Sequence, residues 1–151
     1  MRKDFKSWDD TFMEMTLVMS KRSKDSITQV GSIIVDKNNK IIGTGYNGLP
    51  RGIKQNSVNW KTKTNIDWLE TKSPYMVHAE INAILNKNSS AEDGKMYCTL
   101  FPCNECAKAI IQVGIKEIIF LDDKYIKKDY SIAALRLFTL AGIKVRHYKL
   151  K

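Results

Sequence analysis

Cysteine is scarce in this 151-residue chain, which has three. Three thiols build no disulfide framework, so the core must hold the fold, and a reducing, cytoplasmic setting is expected. No apolar run approaches the ~20 residues that cross a bilayer. No apolar stretch follows Met1-Arg2-Lys3-Asp4-Phe5-Lys6 either, so neither a membrane span nor a secretory leader is expected. Internal repeats and linker-like segments are also missing. A chain of this length suits one domain, residues 1–151, with a real hydrophobic core. Charge of one sign dominates, with 25 Lys and Arg against 16 Asp and Glu and a net charge of +9. The cations are scattered, not gathered in a stripe, so charge alone does not argue for a nucleic-acid surface. A lysine-rich surface and a phosphate-bearing small substrate account for it equally well.

Two short stretches organise the rest. The first is His78-Ala79-Glu80-Ile81-Asn82-Ala83 and the second is Pro102-Cys103-Asn104-Glu105-Cys106. One imidazole and two thiolates make a donor set that suits Zn²⁺ in a catalytic site whose fourth position holds water. Cys103 and Cys106 are three apart and share one face of a helix. His78 and Glu80 are two apart. They can serve one site at a helix N-terminus, with His78 on the metal and Glu80 over the substrate. A lone C-x-x-C also fits redox pairs and structural zinc. The combined H-x-E and P-C-x-x-C pattern is the signature of zinc nucleobase deaminases, in which the Glu shuttles protons and is not a ligand.

The surrounding pattern is that of an α/β fold. Trp8, Phe12, Met15 and Met19 recur at helical spacing, which predicts an amphipathic helix from about Ser7 to Lys21 with that stripe in the core. Ser7 is the expected N-cap, with Asp9 and Asp10 in the first turn. The cations of Ser20-Lys21-Arg22-Ser23-Lys24 either complement the helix dipole or hold a phosphate, and spacing does not choose between them. Runs 30–35 and 40–46 read as a hairpin across Asp36-Lys37-Asn38-Asn39. The stretch Gly45-Tyr46-Asn47-Gly48-Leu49-Pro50-Arg51-Gly52 reads as a loop whose backbone can approach a ligand. No periodicity runs from there to Met76, although Trp60 and Trp68 imply packing.

A second helix runs from His78 to about Lys87, and Met96 to Leu100 is a strand holding Cys98 as a buried core residue. The helix after Pro102 stops at Gly114. A strand over 117–121 follows, then a helix with a stripe at Ala134, Leu137, Phe138 and Ala141 closed by Gly142, then a strand over 145–148. His147 reads as structural. Strand–helix–strand–helix–strand implies parallel pairing with right-handed crossovers. With the hairpin this predicts a three-layer α/β/α fold with a mixed five-stranded sheet.

The expected chemistry follows from the donor set. Zn²⁺ lowers the pKa of its water from ~15.7 towards ~7, and the resulting hydroxide attacks C4 of a cytosine ring. Glu80 takes the water proton, passes it to N3 and helps ammonia leave, a shuttle typically worth ~10²–10⁴ in rate.

The sequence resembles the deoxycytidylate (dCMP) deaminases from about Trp8 to about Tyr148, in the zinc motifs, in Ser20 to Asp25, and in Gly45-Tyr46-Asn47-Gly48-x-Pro50-x-Gly52. The last is the most specific. The resemblance implies a cytidine deaminase-like fold and deamination of dCMP to dUMP, the precursor for thymidylate synthesis. It implies that Asn47 binds the 3′-OH, that the Ala79 backbone meets the pyrimidine edge, that Ser20 and Arg22 contact the 5′-phosphate, and that Tyr125 lines the site. Gly48, Pro50 and Gly52 would belong to an allosteric site in a homohexamer, where dCTP with Mg²⁺ activates and dTTP inhibits. Ile53 and Met76 stand where some members place extra zinc ligands, so one zinc is implied. Neither a nucleic-acid nor a membrane partner is implied. Two rival readings are a tRNA adenosine deaminase, which shares the zinc motifs, and an inactive zinc-stabilised binding module. The Gly45–Gly52 run argues against the first and Glu80 against the second.

Overall fold

In the computed structural model, which describes residues 1–60 and 67–150, Ser7 opens helix α1 (Trp8–Ser20). Its Oγ accepts the Asp10 N–H at 3.0 Å, and Asp9 and Asp10 occupy the first turn. The side chains that α1 buries are Phe12, Met13, Thr16 and Ser20. Of the predicted core stripe, Phe12 is buried and Met19 packs half-buried against the core, but Trp8 and Met15 are corrected, being 60% and 41% exposed. The reason is a close approach. A Cβ on Gly31 would lie 2.2 Å from the Thr16 carbonyl oxygen and 2.6 Å from the Ser20 nitrogen. The helix lies almost on the strand there, so its small residues must face inward. Thr16 meets the cost of burial by donating its hydroxyl to the Phe12 carbonyl at 2.7 Å.

Strands β1 (Gly31–Val35) and β2 (Ile41–Tyr46) form the expected antiparallel hairpin. Asp36 Oδ1 pins the turn by accepting the N–H groups of Asn38 and Lys40 at 2.8 and 2.9 Å. After it come only single 3₁₀ turns at Gln55–Ser57, Trp68–Glu70 and Ser73–Tyr75; residues 61–66 of the aperiodic stretch lie outside the described residues. The packing expected of its tryptophans is met by Trp60 alone. Its indole N–H donates to the Gln55 carbonyl at 2.7 Å, whereas Trp68 is 62% exposed.

Helix α2 (Ala79–Leu85), strand β3 (Lys95–Leu100), helix α3 (Asn104–Gln112), strand β4 (Glu117–Asp122), helix α4 (Asp129–Leu140) and strand β5 (Lys144–His147) complete the chain. Gly114 and Gly142 end α3 and α4 at φ of +86° and +67°. In α4 the buried residues are Ser131, Ala134 and Phe138, while Ala141 is its exposed C-cap. The sheet order is β2-β1-β3-β4-β5, antiparallel up to β3 and parallel from β3 to β5.

Alternation along the strands divides the core in two. Ile33, Val35, Tyr97 and Ile119 pack on Phe12 and Met13 of α1. Ile34, Met96, Ile118 and Phe120 pack on α2, α3 and α4 through residues such as Ala83, Ala107, Ile110 and Phe138. This is the expected three-layer arrangement, a mixed five-stranded sheet between helices. Cys98 is fully buried on the second face. His147 stacks on Phe120 at 4.8 Å between ring centres and contacts the Leu121 carbonyl at 2.9 Å, a structural role.

Candidate active site

Two chain reversals bring the chemistry together. His78 is the N-cap of α2 and Cys103 the N-cap of α3, so both helices present their N-termini to one place. Cys106, in the first turn of α3, faces the same point. His78 Nδ1 lies 3.4 Å from Cys103 Sγ and 3.3 Å from Cys106 Sγ. The three donor atoms all lie within 4.8 Å of one another. One nitrogen and two sulfurs converging so closely fit a tetrahedral Zn²⁺ with one position left for a small ligand. Nothing local in α2 or α3 requires this; a close-packed sheet does. A Cβ on Gly45 of β2 would sit 2.2 Å from the Ala79 carbonyl oxygen and 2.3 Å from the Ala83 nitrogen. Glycine there lets α2 settle against the sheet and carries His78 and Glu80 to the cysteines. Asn82 secures the same contact, donating from Nδ2 to the Tyr46 carbonyl at 2.8 Å.

Glu80 is 4% exposed and its Oε2 lies 3.5 Å from Cys106 Sγ. Burial pushes its carboxyl pKa up, partly opposed by His78. The hydrogen bond from Cys106 holds the Cys103 thiol down to about 4, with His78 assisting. The bond to Cys103 raises His78 to about 9. Cys106, sharing the proton with Cys103 and lying beside Glu80, is pushed up.

His78, Glu80 and Cys103 face a cleft of 510 Å³, a size suited to a nucleotide-sized ligand. Glu80, His78, Cys103, Ala79, Asn47 and Tyr125 all line it. Asn47 is 7% exposed. Its Oδ1 accepts the Val30 N–H at 2.8 Å, and its Nδ2 donates to the Thr28 carbonyl at 2.9 Å. Ser20 and Arg22 are not part of the lining. Ser20 donates its hydroxyl to the Leu17 carbonyl at 2.8 Å, and the exposed Arg22 guanidinium lies 6.0 Å from the centre of the Tyr46 ring. Gly48, Pro50 and Gly52 also stand outside the lining. Gly48 is bridged to Val77 by two backbone bonds of 3.1 and 2.8 Å, next to His78. Gly52 turns the loop at a φ of +86°.

Sequence reading missed Lys72, Asp25 and Tyr130, which also line the cleft. Asp25 belonged to a recognised motif but carried no assigned role. Lys72 stands in the aperiodic stretch, where no pattern sets one lysine apart from the others.

The chain matches the family model of the cytidine and deoxycytidylate deaminase zinc-binding region over residues 6–122. It is 49% identical over 148 residues to the deoxycytidylate deaminases of Pongo abelii and Homo sapiens, a match covering 97% of this chain and 83% of each relative. Its structure is similar to a crystal structure of dCMP deaminase from the cyanophage S-TIM5 in complex with dCMP and dUMP. There the TM-score is 0.74 at 25% identity, over 98% of this chain and 99% of that one. Among the described residues, no helix is long and apolar enough to cross a membrane.

Proposed function

Because the chain belongs to the cytidine and deoxycytidylate deaminase zinc-binding family, we propose that it hydrolyses dCMP to dUMP and ammonia. The observation that carries this reading is the convergence of His78, Cys103 and Cys106 beside a buried Glu80 that faces a nucleotide-sized cleft. His78, Cys103 and Cys106 are the residues that would hold Zn²⁺, which when bound would supply an acidified water at neutral pH.

The chain's own groups do the rest. Glu80, shielded from solvent, takes one proton of the attacking water on Oε2 and delivers it to ring N3; it then takes the second, from the hydroxyl newly bonded to C4, and gives it to the amine, which leaves as ammonia as the C4–N bond breaks. A carboxyl whose pKa is raised by burial suits both halves of that transfer. The Ala79 backbone meets the pyrimidine edge. Asn47, held by Val30 and Thr28, offers the remaining lone pair of Oδ1 to the 3′-OH. Tyr125 closes the side of the cleft. The enzyme is one domain over residues 1–151 and works in the cytoplasm as a homohexamer, supplying dUMP for thymidylate synthesis. The Gly48–Gly52 loop receives dCTP with Mg²⁺ as activator and dTTP as inhibitor. Its bridge to Val77, one residue before His78, gives a triphosphate there a route to the site.

Ammonia release from dCMP, deoxycytidine and a tRNA anticodon hairpin tests the reading. Rapid release from dCMP is expected, and release from the hairpin alone would overturn it. Repeating the dCMP titration with dCTP and dTTP plus Mg²⁺ tests the regulatory half. The expectation is a less sigmoidal curve with dCTP and the opposite with dTTP; hyperbolic curves unmoved by either remove it. Sedimentation at a mass other than six chains removes the hexamer.

A further inference from the structure

A nucleoside monophosphate brings nearly two negative charges into the cleft, and something there must meet them. Among the described residues that line the cleft, Lys72 is the only lysine or arginine. Its side chain is 10% exposed, and its ammonium is held against Asp25 Oδ2. Asp25 is itself saturated. Its Oδ1 accepts the N–H groups of Ile27 at 2.9 Å and Thr28 at 3.2 Å. Its Oδ2 takes Lys72 and, at 3.4 Å, Asn47 Nδ2. The carboxylate thus spends its lone pairs on the wall, and its counter-charge offsets the cost of burying an ammonium.

An ammonium has three N–H donors. One is committed to Asp25 and two remain for a ligand. Held in advance by Asp25, Lys72 loses little rotamer freedom when that ligand arrives. Ser73, the next residue, also lines the cleft. Arg22 has no such placement, being exposed beside the Tyr46 ring and outside the lining.

We infer, resting on the dCMP reading above, that Lys72 is the specificity-determining residue that takes the substrate's 5′-phosphate. Asp25 is the positioning residue that ties this cation to the wall carrying Asn47.

The test compares kcat/KM on dCMP and on deoxycytidine for the zinc-loaded parent, Lys72→Met, Lys72→Arg and Arg22→Ala. Lys72→Met is expected to lose about 10- to 100-fold on dCMP, the scale of a charge-assisted hydrogen bond. On deoxycytidine it should stay within about threefold, because that substrate has no phosphate to lose. Lys72→Arg should recover most of the dCMP efficiency. Equal losses on both substrates overturn the inference, as does a dCMP-specific loss confined to Arg22→Ala. If Lys72→Met does not fold, parent protein labelled with ¹⁵N in its lysine side chains decides. The Lys72 Nζ signal should shift with dUMP and not with deoxyuridine; no shift with dUMP overturns the inference. A parent that releases no ammonia from dCMP removes the proposed function and this inference together. Normal turnover with equal losses removes this inference alone.

Discussion

Glu80 and the three metal donors sit within touching distance, yet their substitution should separate cleanly. Glu80 contacts the donor set only through Cys106 Sγ, at 3.5 Å. Glu80→Gln should therefore keep one zinc per chain by elemental analysis while turnover falls by about 10²–10⁴. Loss of the metal from that variant, or two tightly held zinc ions in the parent, would contradict the division of roles. Cys98 and His147, the leftover potential ligands, are tied to Ser32 and to Phe120 and Leu121. The donors and Glu80 were legible in the sequence because each motif carries its spacing within a few residues. Lys72 and Asp25 were not. They are 47 residues apart in sequence, and an ion pair of that span leaves no local periodicity. The internal engagement of Asn47 was equally hidden, since its partners Val30 and Thr28 come from the turn that precedes β1.

Helices were read from periodicity and strands from short apolar runs, and the outcome depended on what each element packs against. The strands were legible because both faces of the sheet are covered, so that β1, for one, is buried along its whole length. α1 was placed correctly, and Phe12 and Met19 do face the core, but Trp8 and Met15 do not. Sequence reading weights large apolar side chains, whereas the approach of Gly31 demands small ones at Thr16 and Ser20. That geometry separates two glycine substitutions. Gly31→Ala drives a methyl group into the backbone of α1, and Gly45→Ala drives one into the backbone of α2. Both should lose ~1–3 kcal/mol or more in urea unfolding, the range for overpacking. Only Gly45→Ala should also weaken zinc, by at least about tenfold, because α2 carries His78 and Glu80. Competition with a chelator of known affinity measures this. Equal zinc affinity in the two variants would mean that α2 does not need its close seat on β2 to form the site.

At the scale of the whole molecule, the first helix is bound to the last strand and its following residue on the face of the sheet that α1 covers. Asp9 accepts from Arg146 at 2.7 Å and from the Tyr97 hydroxyl at 2.6 Å, and Asp10 accepts from the Tyr148 hydroxyl at 2.6 Å. Arg146 also donates to Glu117 at 3.1 Å. No sequence pattern announces a contact 137 residues long, so this closure became visible only in the fold. Burial alone would raise the Asp9 carboxyl, but the hydrogen bonds from Arg146 and Tyr97 outweigh it and hold its pKa below the usual 3.8. A carboxylate depressed in the folded state contributes stability above its unfolded pKa and loses that contribution as pH falls through the folded value. Asp9→Asn should therefore be less stable than the parent at neutral pH, by under about 1 kcal/mol for a pair this accessible to water. The gap should narrow as pH falls through the folded value, and close only below it, where Asp9 is protonated in both states. Acid also releases metal, but it does so in both proteins, so the difference between their urea midpoints isolates Asp9. A gap that stayed constant from neutral to acid pH would show that the side chain acts by shape and not by charge. The tie between the first helix and the last strand would then be a packing contact.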